Sequence, residues 1–340
     1  MSAEEYRRWI LANRPEGKPT QDDFELETAS TPDPEHGELL VRTLYMSVDP
    51  YMRGRMRDAE SYAEPWSVGD VMVAGIVGEV VVAEHEAYDP GDIVTGRGEW
   101  AEFTILDGQD VTPVDPDHAP ISTALGVLGM PGRTAYFGLL EVGDPSPGET
   151  VVVSGGAGAV GSMVGQIAKL GGCDVVGIAG SDRKTDWLTE ALGFDAAINY
   201  ATEDVGKRLD ETCPDGVDLY FDNVGGVITD AIMDRLALRG RVVVCGQIAL
   251  YNEEGTPTGP RHFSKLISTR GRVEGFLVSD YEGRYAEANE QLGEWVTSGA
   301  IDYRETITEG LENAPEAFIG LFEGENIGKQ LVHVADPTGS

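Results

Sequence analysis

Hydrophobic residues follow two different patterns along the chain. Up to about residue 125, segments such as GELLVRTLYMSV (37–48) and DIVTGRGEWAEFTIL (92–106) alternate apolar and polar positions between turns of Gly, Pro and Asp. This alternation is typical of antiparallel strands, and we expect them to form a β-barrel. From about residue 126, short apolar runs alternate with stretches of helical periodicity, which predicts a doubly wound parallel sheet.

The second pattern contains six predicted parallel strands, and the chain after residue 306 adds a helix and a strand that we expect to rejoin the β-barrel. The sequence therefore predicts an α/β protein of two domains, one made of residues 1–125 and 306–340 and the other of residues 126–305. The parallel strands are TVVVSG, DVVGIAG, AAINY, VDLYFDN, GRVVVCG and RVEGFLV.

The charge balance is strongly acidic. The chain has 59 acidic and 25 basic residues, only six of them lysine, and its formal net charge is −34. Because the acids are spread along the chain, they indicate a property of the whole surface rather than a partner-binding tail. This composition resembles that of proteins from salt-accumulating microbes, so we hypothesise a halophilic protein. The same charge argues against nucleic acid and anionic membranes as partners.

Cysteine usage and the start of the chain narrow the class further. Cys173, Cys213 and Cys245 lie far apart, and no cysteine precedes them. We therefore expect neither a disulfide framework nor a metal site. No apolar run approaches the roughly 18 residues of a membrane span. The charged first residues contain no signal-peptide core, so we expect a cytoplasmic protein.

A glycine-rich stretch, VVVSGGAGAVGSMVGQIAKL (151–170), carries the strongest chemical signal. Its G-x-G-x-x-G run follows a predicted strand and opens a predicted helix, which is the context in which this pattern binds a dinucleotide in a Rossmann domain. The first glycine allows a tight turn, the second lets the backbone approach a pyrophosphate, and the third lets the helix pack on the strand. The helix N-terminus then offers N–H groups to the phosphates. The predicted contacts are Gly156, Gly158, Ala159, Val160 and Gly161.

The end of the next predicted strand indicates which dinucleotide binds. NAD sites usually have an acidic residue there, which binds the ribose 2′-hydroxyl. In VVGIAGSDRK (175–184) small residues are followed by Arg183 and Lys184, and two adjacent cations favour the 2′-phosphate of NADP. Asp182 could instead accept a ribose hydroxyl, but we expect Ser181 or Asp182 to cap a helix that begins near Lys184.

Further motifs extend over nearly the whole chain, and with them the chain closely resembles the zinc-free medium-chain dehydrogenases/reductases. Within that superfamily it is similar to the alkenal/one oxidoreductases, which include prostaglandin reductases (leukotriene B4 12-hydroxydehydrogenases), plant double-bond reductases and curcumin-reductase-like enzymes. The motifs are SVDPYMRGRM (47–56), GMPGRTAYFGLLEVG (129–143), LGFDAAINY (192–200), DLYFDNVGG (218–226), CGQIALYN (245–252), EGFLV (274–278) and EGENIGKQLV (323–332).

The resemblance implies a GroES-like catalytic domain, a Rossmann domain that binds NADP, and a homodimer. It implies NADPH-dependent reduction of the C=C bond of α,β-unsaturated ketones and aldehydes by hydride transfer, without a metal. Two alternatives stay open at this point: an NADPH quinone oxidoreductase and a non-catalytic NADPH-binding protein. The cofactor contacts implied by the resemblance are Lys184 and Tyr200 at the 2′-phosphate, and Asn223, Cys245, Gly246, Tyr251, Phe276, Leu277, Val278 and Asn326 elsewhere.

Enone reduction needs a group that stabilises the negative charge developing on the carbonyl oxygen, and a positioned hydroxyl donor does so. Tyr251 in IALYN is the candidate catalytic donor, and the alternative is a tyrosine that only orders the cofactor ribose. Tyr51 in DPYMR is a candidate substrate contact or, equally, a packing residue of the barrel. Arg133 either is a solvated residue at a helix start or contacts an acidic or phosphorylated group of the substrate.

Overall fold

The computed structural model describes residues 5–59 and 61–338. Strands occur in both parts of the chain in the order that the hydrophobic pattern predicts. They are β1 Glu5–Leu11, β2 Phe24–Ser30, β3 Glu38–Ser47, β4 Val73–Ala83, β5 Ile93–Glu99, β6 Phe103–Asp107, β7 Thr112–Pro113, β8 Thr150–Ser154, β9 Asp174–Ala179, β10 Ala196–Asn199, β11 Val217–Asp222, β12 Leu236–Val244, β13 Arg272–Gly275, β14 Glu305–Glu309 and β15 Lys329–His333.

Helices are concentrated after residue 126. Two of them widen into π-helical turns, at Gly138–Gly143 and Trp187–Ala191, and short 3-10 turns connect other elements. The α-helices are α1 Met52–Arg55, α2 Met130–Phe137, α3 Gly161–Leu170, α4 Asp182–Asp186, α5 Val205–Thr212, α6 Gly226–Met233, α7 Phe263–Thr269, α8 Tyr285–Thr297 and α9 Ala314–Glu323.

The six strands β8 to β13 form one parallel sheet with the order β10-β9-β8-β11-β12-β13. This is the strand order of a Rossmann fold, in which the order reverses between the first strand, here β8, and the fourth, here β11. Three consecutive residues of β8, Val151, Val152 and Val153, are fully buried because helices cover both faces of the sheet. The predicted doubly wound parallel sheet is confirmed.

The strands of the first part form antiparallel pairs. A seven-stranded sheet has the order β14-β15-β3-β4-β5-β7, with β6 also paired to β3, and β1 and β2 form a separate hairpin. Its core contains an aromatic cluster in which Phe24 stacks on Trp100 with ring centroids 6.3 Å apart, and Phe318 of α9 meets both rings edge-on.

The chain forms two compact units. One contains the residues up to Leu125, Glu305–Glu325 and the chain from Gln330 onward, and the other contains Gly126–Arg304 and the short stretch Asn326–Lys329. Within the described part of the chain, no helix has both the length and the apolar character needed to cross a membrane.

Candidate functional site

The glycine-rich loop connects the end of β8 to the start of α3. Gly155 has a φ of +59°, a conformation that favours glycine, so the tight turn is at Gly155. The turn extends over Gly156, to which the motif assigns it, because the N–H of Gly158 donates to the carbonyl oxygen of Gly155 at 2.9 Å. The N–H of Gly156 donates to the carbonyl oxygen of Ile178 in β9 at 3.0 Å, which ties the loop to the sheet.

The other two glycines of the motif differ in what surrounds them. A Cβ on Gly161 would lie 2.3 Å from the carbonyl oxygen of Gly155, so only glycine lets α3 begin this close to the turn. A Cβ on Gly158 would have one protein neighbour within 4 Å, the same oxygen at 3.2 Å. Gly158 is therefore open to another group, as the second glycine of a pyrophosphate loop must be. Ala159 and Val160, both half-buried, lead from it into α3.

A distant segment of the chain lies against this loop. The N–H of Gly328 donates to the carbonyl oxygen of Ala157 at 2.8 Å, and Gly328 forms an isolated parallel bridge with Gly158. The predicted contact Asn326 is held in the same segment, because its side-chain amide donates to the carbonyl oxygen of Gly328 at 2.8 Å. Asn326 is thus hydrogen-bonded to Gly328, the residue that contacts the glycine-rich loop.

The predicted contacts for the adenosine end come together where β9 and β10 end. Tyr200 directly follows β10, its N–H donates to the carbonyl oxygen of Ala179 at 3.0 Å, and its ring packs on Gly180. Lys184 is half-buried in α4, and burial, together with the charge of neighbouring Arg183, lowers its pKa. A partly desolvated cation beside a second cation is stabilised by an anion, which suits a phosphate group.

The start of α4 differs from the prediction. The helix begins at Asp182 rather than near Lys184, and Ser181 occupies the N-cap position without a capping hydrogen bond from its side chain. Asp182 Oδ1 accepts a hydrogen bond from Asn199 Nδ2 at 2.7 Å. This bond joins the end of β10 to the start of α4, and it engages the carboxylate that could otherwise accept a ribose hydroxyl.

At the point where the strand order reverses, a fully buried carboxylate connects the neighbouring strand ends. Asp222, the last residue of β11, has no solvent exposure. A buried carboxylate is stable only where hydrogen-bond donors surround it, and Asp222 accepts five hydrogen bonds. The donors to Oδ1 are Ser154 Oγ at 3.2 Å, Tyr220 Oη at 2.8 Å, Val224 N at 2.9 Å and Gly225 N at 2.8 Å, and the donor to Oδ2 is Thr229 Oγ1 at 2.7 Å.

This network positions three predicted cofactor contacts. The N–H groups of Cys245 and Gly246 both donate to the carbonyl oxygen of Asp222, at 2.9 and 3.0 Å. Asn223 donates from its backbone to Ser154 Oγ at 3.0 Å and from its side chain to the Ser154 carbonyl at 2.8 Å. Burial, with a smaller effect of the Asp222 charge, raises the pKa of the Cys245 thiol to about 12, so this thiol stays protonated.

Tyr251 follows the 3-10 turn Ile248–Leu250 and lies close to Gly246. Its Oη accepts a hydrogen bond from the N–H of Gln247 at 3.3 Å and lies close to the Cα of Gly246. Burial raises the pKa of Tyr251; the Gln247 N–H opposes this, and Cys245 and Asp222 add to it. Since a phenol oxygen can accept one hydrogen bond and donate another, this geometry is compatible with a proton-donating role.

The EGFLV segment follows β13. Phe276 packs edge-on against Phe221 with ring centroids 6.4 Å apart, and it occupies the space that a Cβ on Gly138 would fill. Leu277 is exposed and Val278 is half-buried. Phe276 is therefore part of the hydrophobic core beside the sheet, whereas Leu277 presents its side chain to solvent.

Arg133 is not a solvated residue. Its Nε donates to Asn289 Oδ1 at 2.8 Å, its guanidinium lies 4.6 Å from the ring centroid of Tyr285, and burial lowers its pKa. These contacts tie α2 to α8. The role of Arg133 as a substrate contact stays a prediction.

Tyr51 belongs to the antiparallel unit. It precedes α1, packs against the core of that unit, and has a raised pKa because of burial and, secondarily, the charge of Asp49. Both interpretations of Tyr51, packing residue and substrate contact, remain compatible with this position.

Three features of the site were not found by sequence reasoning. Asp222 stands one residue before the predicted contact Asn223, and an aspartate at the end of an apolar strand, followed by Gly225 and Gly226, was the available signal. Gly328 carries no local signal for its contact with the glycine-rich loop. The third is the contact of Tyr200 with Gly180: the sequence indicates the space that the small residues Ala179, Gly180 and Ser181 leave, but not the ring that fills it.

The doubly wound sheet, the glycine-rich loop at its reversal point and the cation pair after the second strand define a dinucleotide-binding Rossmann protein. Two family profiles match the chain, one described as the N-terminal domain of oxidoreductase over residues 7–114 and one as zinc-binding dehydrogenase over residues 159–294. The chain belongs to the medium-chain dehydrogenase/reductase family, and its relatives include prostaglandin reductases and a 2-alkenal reductase, as predicted.

Individual relatives match over almost their full length. A Bacillus subtilis protein with the provisional name NADP-dependent oxidoreductase YfmJ is 54% identical over 331 residues, 96% of this chain and 97% of its own. The NADPH-dependent curcumin reductase of Escherichia coli is 46% identical over 97% of both chains. The crystal structure of CurA from Vibrio vulnificus in complex with NADPH has a TM-score of 0.93 at 45% identity, covering 97% of this chain and all of its own. These matches confirm the predicted fold class.

The zinc site that one profile description names has no counterpart among the residues described. No group of three or more His, Cys, Asp or Glu side chains within residues 5–59 and 61–338 is arranged to hold a metal ion. The described residues therefore do not fit a zinc ion.

Proposed function

We propose that this protein is an oxidoreductase that uses NADPH to reduce the C=C bond of α,β-unsaturated ketones and aldehydes. The observation that carries the proposal is the open glycine-rich loop at the reversal point of the sheet, combined with Lys184, Arg183 and Tyr200 where β9 and β10 end. Relatives whose names specify NADP or NADPH, at 46% identity and above, support the same cofactor.

The residues fit NADPH at both of its ends. The open space beside the Cα of Gly158 and the N-terminus of α3 suit the pyrophosphate, and Lys184 with Arg183 suits the 2′-phosphate. Asn223 and the Cys245–Gly246 backbone, held by Asp222, would line the opposite end of the cofactor. When bound there, NADPH supplies the hydride for the reduction.

Tyr251 is the proposed catalytic donor. The pKa of Tyr251 is raised from its ordinary value of 10.0, so the phenol keeps its proton at neutral pH. It can therefore donate a hydrogen bond to the carbonyl oxygen of the substrate, on which negative charge develops. The Gln247 N–H, which donates to Tyr251 Oη, fixes the oxygen and stabilises negative charge on it as the proton is shared.

The division of labour between the units is also proposed. We assign the cofactor to residues 126–305 and substrate selection to residues 1–125 and 306–340, where Tyr51 is the proposed substrate contact. Tyr51→Ala should enlarge the range of substrates that are reduced and leave the affinity for NADPH unchanged. Loss of NADPH affinity in that variant would contradict the assignment.

The test is NADPH oxidation with a panel of enones, enals and quinones, with NADH as the cofactor control and identification of the saturated product. Oxidation with enones and enals but not with quinones supports the proposal, and the reverse preference indicates a quinone oxidoreductase. Tight NADPH binding without turnover of any compound indicates a non-catalytic binding protein.

Tyr251→Phe should lower kcat about 100-fold with an unchanged Kd for NADPH. A weaker Kd with unchanged kcat would mean that Tyr251 only orders the cofactor.

We further propose a homodimer formed through the edge of the parallel sheet. β13 is the last strand of the sheet and all four of its residues are exposed, including the apolar Val273. Phe263 and Ile267, 77% and 81% exposed, lie one turn apart on α7. An unpaired strand edge with apolar neighbours suits pairing with a second copy. Ile267→Glu should lower the mass measured by light scattering to that of a monomer, whereas Leu170→Glu, at an exposed apolar residue of α3, should not.

The acidic surface supports a cytoplasmic protein of a salt-accumulating organism. With a formal net charge of −34, the acidic side chains repel one another strongly in dilute buffer, and molar salt screens this repulsion. The free energy of unfolding should therefore rise from low salt to molar KCl. A flat dependence would contradict the halophilic assignment.

A further inference from the structure

Gly180 has no side chain, and the space beside its Cα is filled by the phenol of Tyr200. A Cβ built on Gly180 would lie 2.7 Å from Tyr200 Oη, 2.8 Å from Cζ and 3.1 Å from Cε1. The φ of Gly180 is outside the left-handed region, so alanine would adopt this backbone without strain. The absence of a side chain is needed here for the ring of Tyr200 and not for the backbone.

Two contacts fix the backbone of Tyr200 relative to the cation pair. Its N–H donates to the carbonyl oxygen of Ala179, and the preceding residue, Asn199, donates to Asp182 at the start of α4. Tyr200 is 49% exposed, so a new side chain at position 180 would push its ring toward solvent rather than into a packed core. The cost to folding would be small, but the phenol would leave its place.

We propose that Gly180 is a specificity-determining residue that acts through Tyr200. By leaving its Cα bare, Gly180 lets the Tyr200 hydroxyl stand just before α4, the helix that carries Arg183 and Lys184, so that the three groups can together recognise a phosphate on the ribose 2′-oxygen. Gly180 itself is a positioning residue. The inference rests on the proposed use of NADPH, and it adds that selection against NADH depends on a residue that makes no polar contact of its own.

The test is a double-mutant cycle on cofactor binding, with Kd values for NADPH and NADH measured by fluorescence titration without substrate. The variants are Gly180→Ala, Tyr200→Phe and the double variant, and the matched control is Gly283→Ala, where a Cβ would meet nothing within 4 Å. Gly180→Ala and Tyr200→Phe should each raise the Kd for NADPH about tenfold, as expected for one lost hydrogen bond to a charged group. The double variant should bind no more weakly than either single variant, and the Kd for NADH should not change.

The possible outcomes separate this inference from the proposal on which it rests. If the wild-type protein binds NADPH and NADH equally, the cofactor proposal fails and the inference fails with it. If the wild type prefers NADPH but Gly180→Ala behaves as Gly283→Ala, or if the two single losses multiply in the double variant, the inference alone is overturned. Thermal midpoints of all variants show whether the folded state is retained, and a loss of NADH affinity parallel to that of NADPH would reveal a general distortion and also overturn the inference.

Discussion

The hydroxyl of Tyr220 donates a hydrogen bond of 2.8 Å to the carboxylate of Asp222, and neither residue has any solvent exposure. A buried anion of this kind is tolerated only because its acceptor sites are filled, and its removal leaves several buried donors without partners. In this protein those donors come from β8, β11, α6 and the turn between the last two. Asp222 therefore determines the backbone geometry at the carboxyl ends of β8 and β11, where we assign the cofactor.

Asp222→Ala should lower the free energy of unfolding by about 3 kcal/mol or more, since several buried donors lose their acceptor. Asp222→Asn is the matched control. Its amide oxygen can keep the acceptor positions of Oδ1, and its NH2 group can donate to the hydroxyl of Thr229, so the loss should be about 1 kcal/mol. Urea unfolding measures both values. Equal losses in the two variants would contradict the account of the network.

Gly165→Ala should destabilise the protein although alanine is the better helix former. Gly165 lies inside α3, and a Cβ there would be 1.9 Å from Cζ of Phe194, whose ring also approaches Gly177 of β9. Overpacking of this kind costs about 1–3 kcal/mol, which exceeds the helix-propensity gain of about 1 kcal/mol. Thermal unfolding would detect the loss, and Phe194→Leu in the same chain should recover part of it. A higher midpoint for Gly165→Ala would refute the packing argument.

The ion pair of Glu149 with Arg241 should contribute to stability only above acidic pH. Burial alone would raise the pKa of Glu149, but the hydrogen bonds from Arg241 and the Ser146 N–H and the charge of Arg241 outweigh it and lower the pKa below its ordinary value of 4.5. The unfolded chain then binds a proton first as the pH falls, so the contribution is present above pH 4.5 and disappears as the pH falls through the folded-state pKa.

Glu149→Gln should therefore lower the free energy of unfolding by about 1 kcal/mol at neutral pH. Between about pH 5 and pH 3 the stability of this variant should fall less steeply than that of the wild type. The control is Glu190→Gln at an exposed position on the same unit. Urea unfolding as a function of pH distinguishes them. An acid limb for Glu149→Gln as steep as that of the wild type would be incompatible with this role.

As the pH is raised into the alkaline range, affinity for NADPH should begin to decrease at a lower pH than it would if Lys184 had the pKa of an ordinary lysine. Burial and the charge of Arg183 lower the pKa of Lys184 below 10.5 in the free protein, so the side chain loses its proton, and its attraction for a phosphate, before a solvated lysine does. Affinity for NADH should not follow this change. Lys184→Arg should abolish the decrease because arginine keeps its charge. Isothermal titration across the alkaline range measures both, and parallel pH profiles for NADPH and NADH would exclude Lys184 as the phosphate ligand.

The parts of the site that depend on neighbours in sequence could be predicted from the sequence, and the parts that depend on distant contacts could not. The spacing of Gly156, Gly158 and Gly161 indicated a strand, a turn and a helix, because each glycine acts on its own local backbone. The contact of Tyr200 with Gly180 joins the ends of two strands, and no local pattern specifies which ring fills the space beside a glycine. The start of α4 differed for a related reason, since Asp182 is engaged by Asn199 across the sheet.

The contact between Gly328 and Ala157 has a consequence for how the protein is made. Gly158 and Gly328 are 170 residues apart, so at ribosomal rates of about 5–20 residues per second the nascent loop waits roughly 10 to 30 s for its last partner. During that interval the strands β9 to β13 are synthesised, while the backbone oxygen of Ala157 still has no partner from Gly328. A nascent chain halted before residue 328 should therefore have a parallel sheet and a poorly ordered dinucleotide loop. We therefore expect competence to bind the cofactor only after the later segment has been made, so that nucleotide binding is a late event in the life of each new molecule.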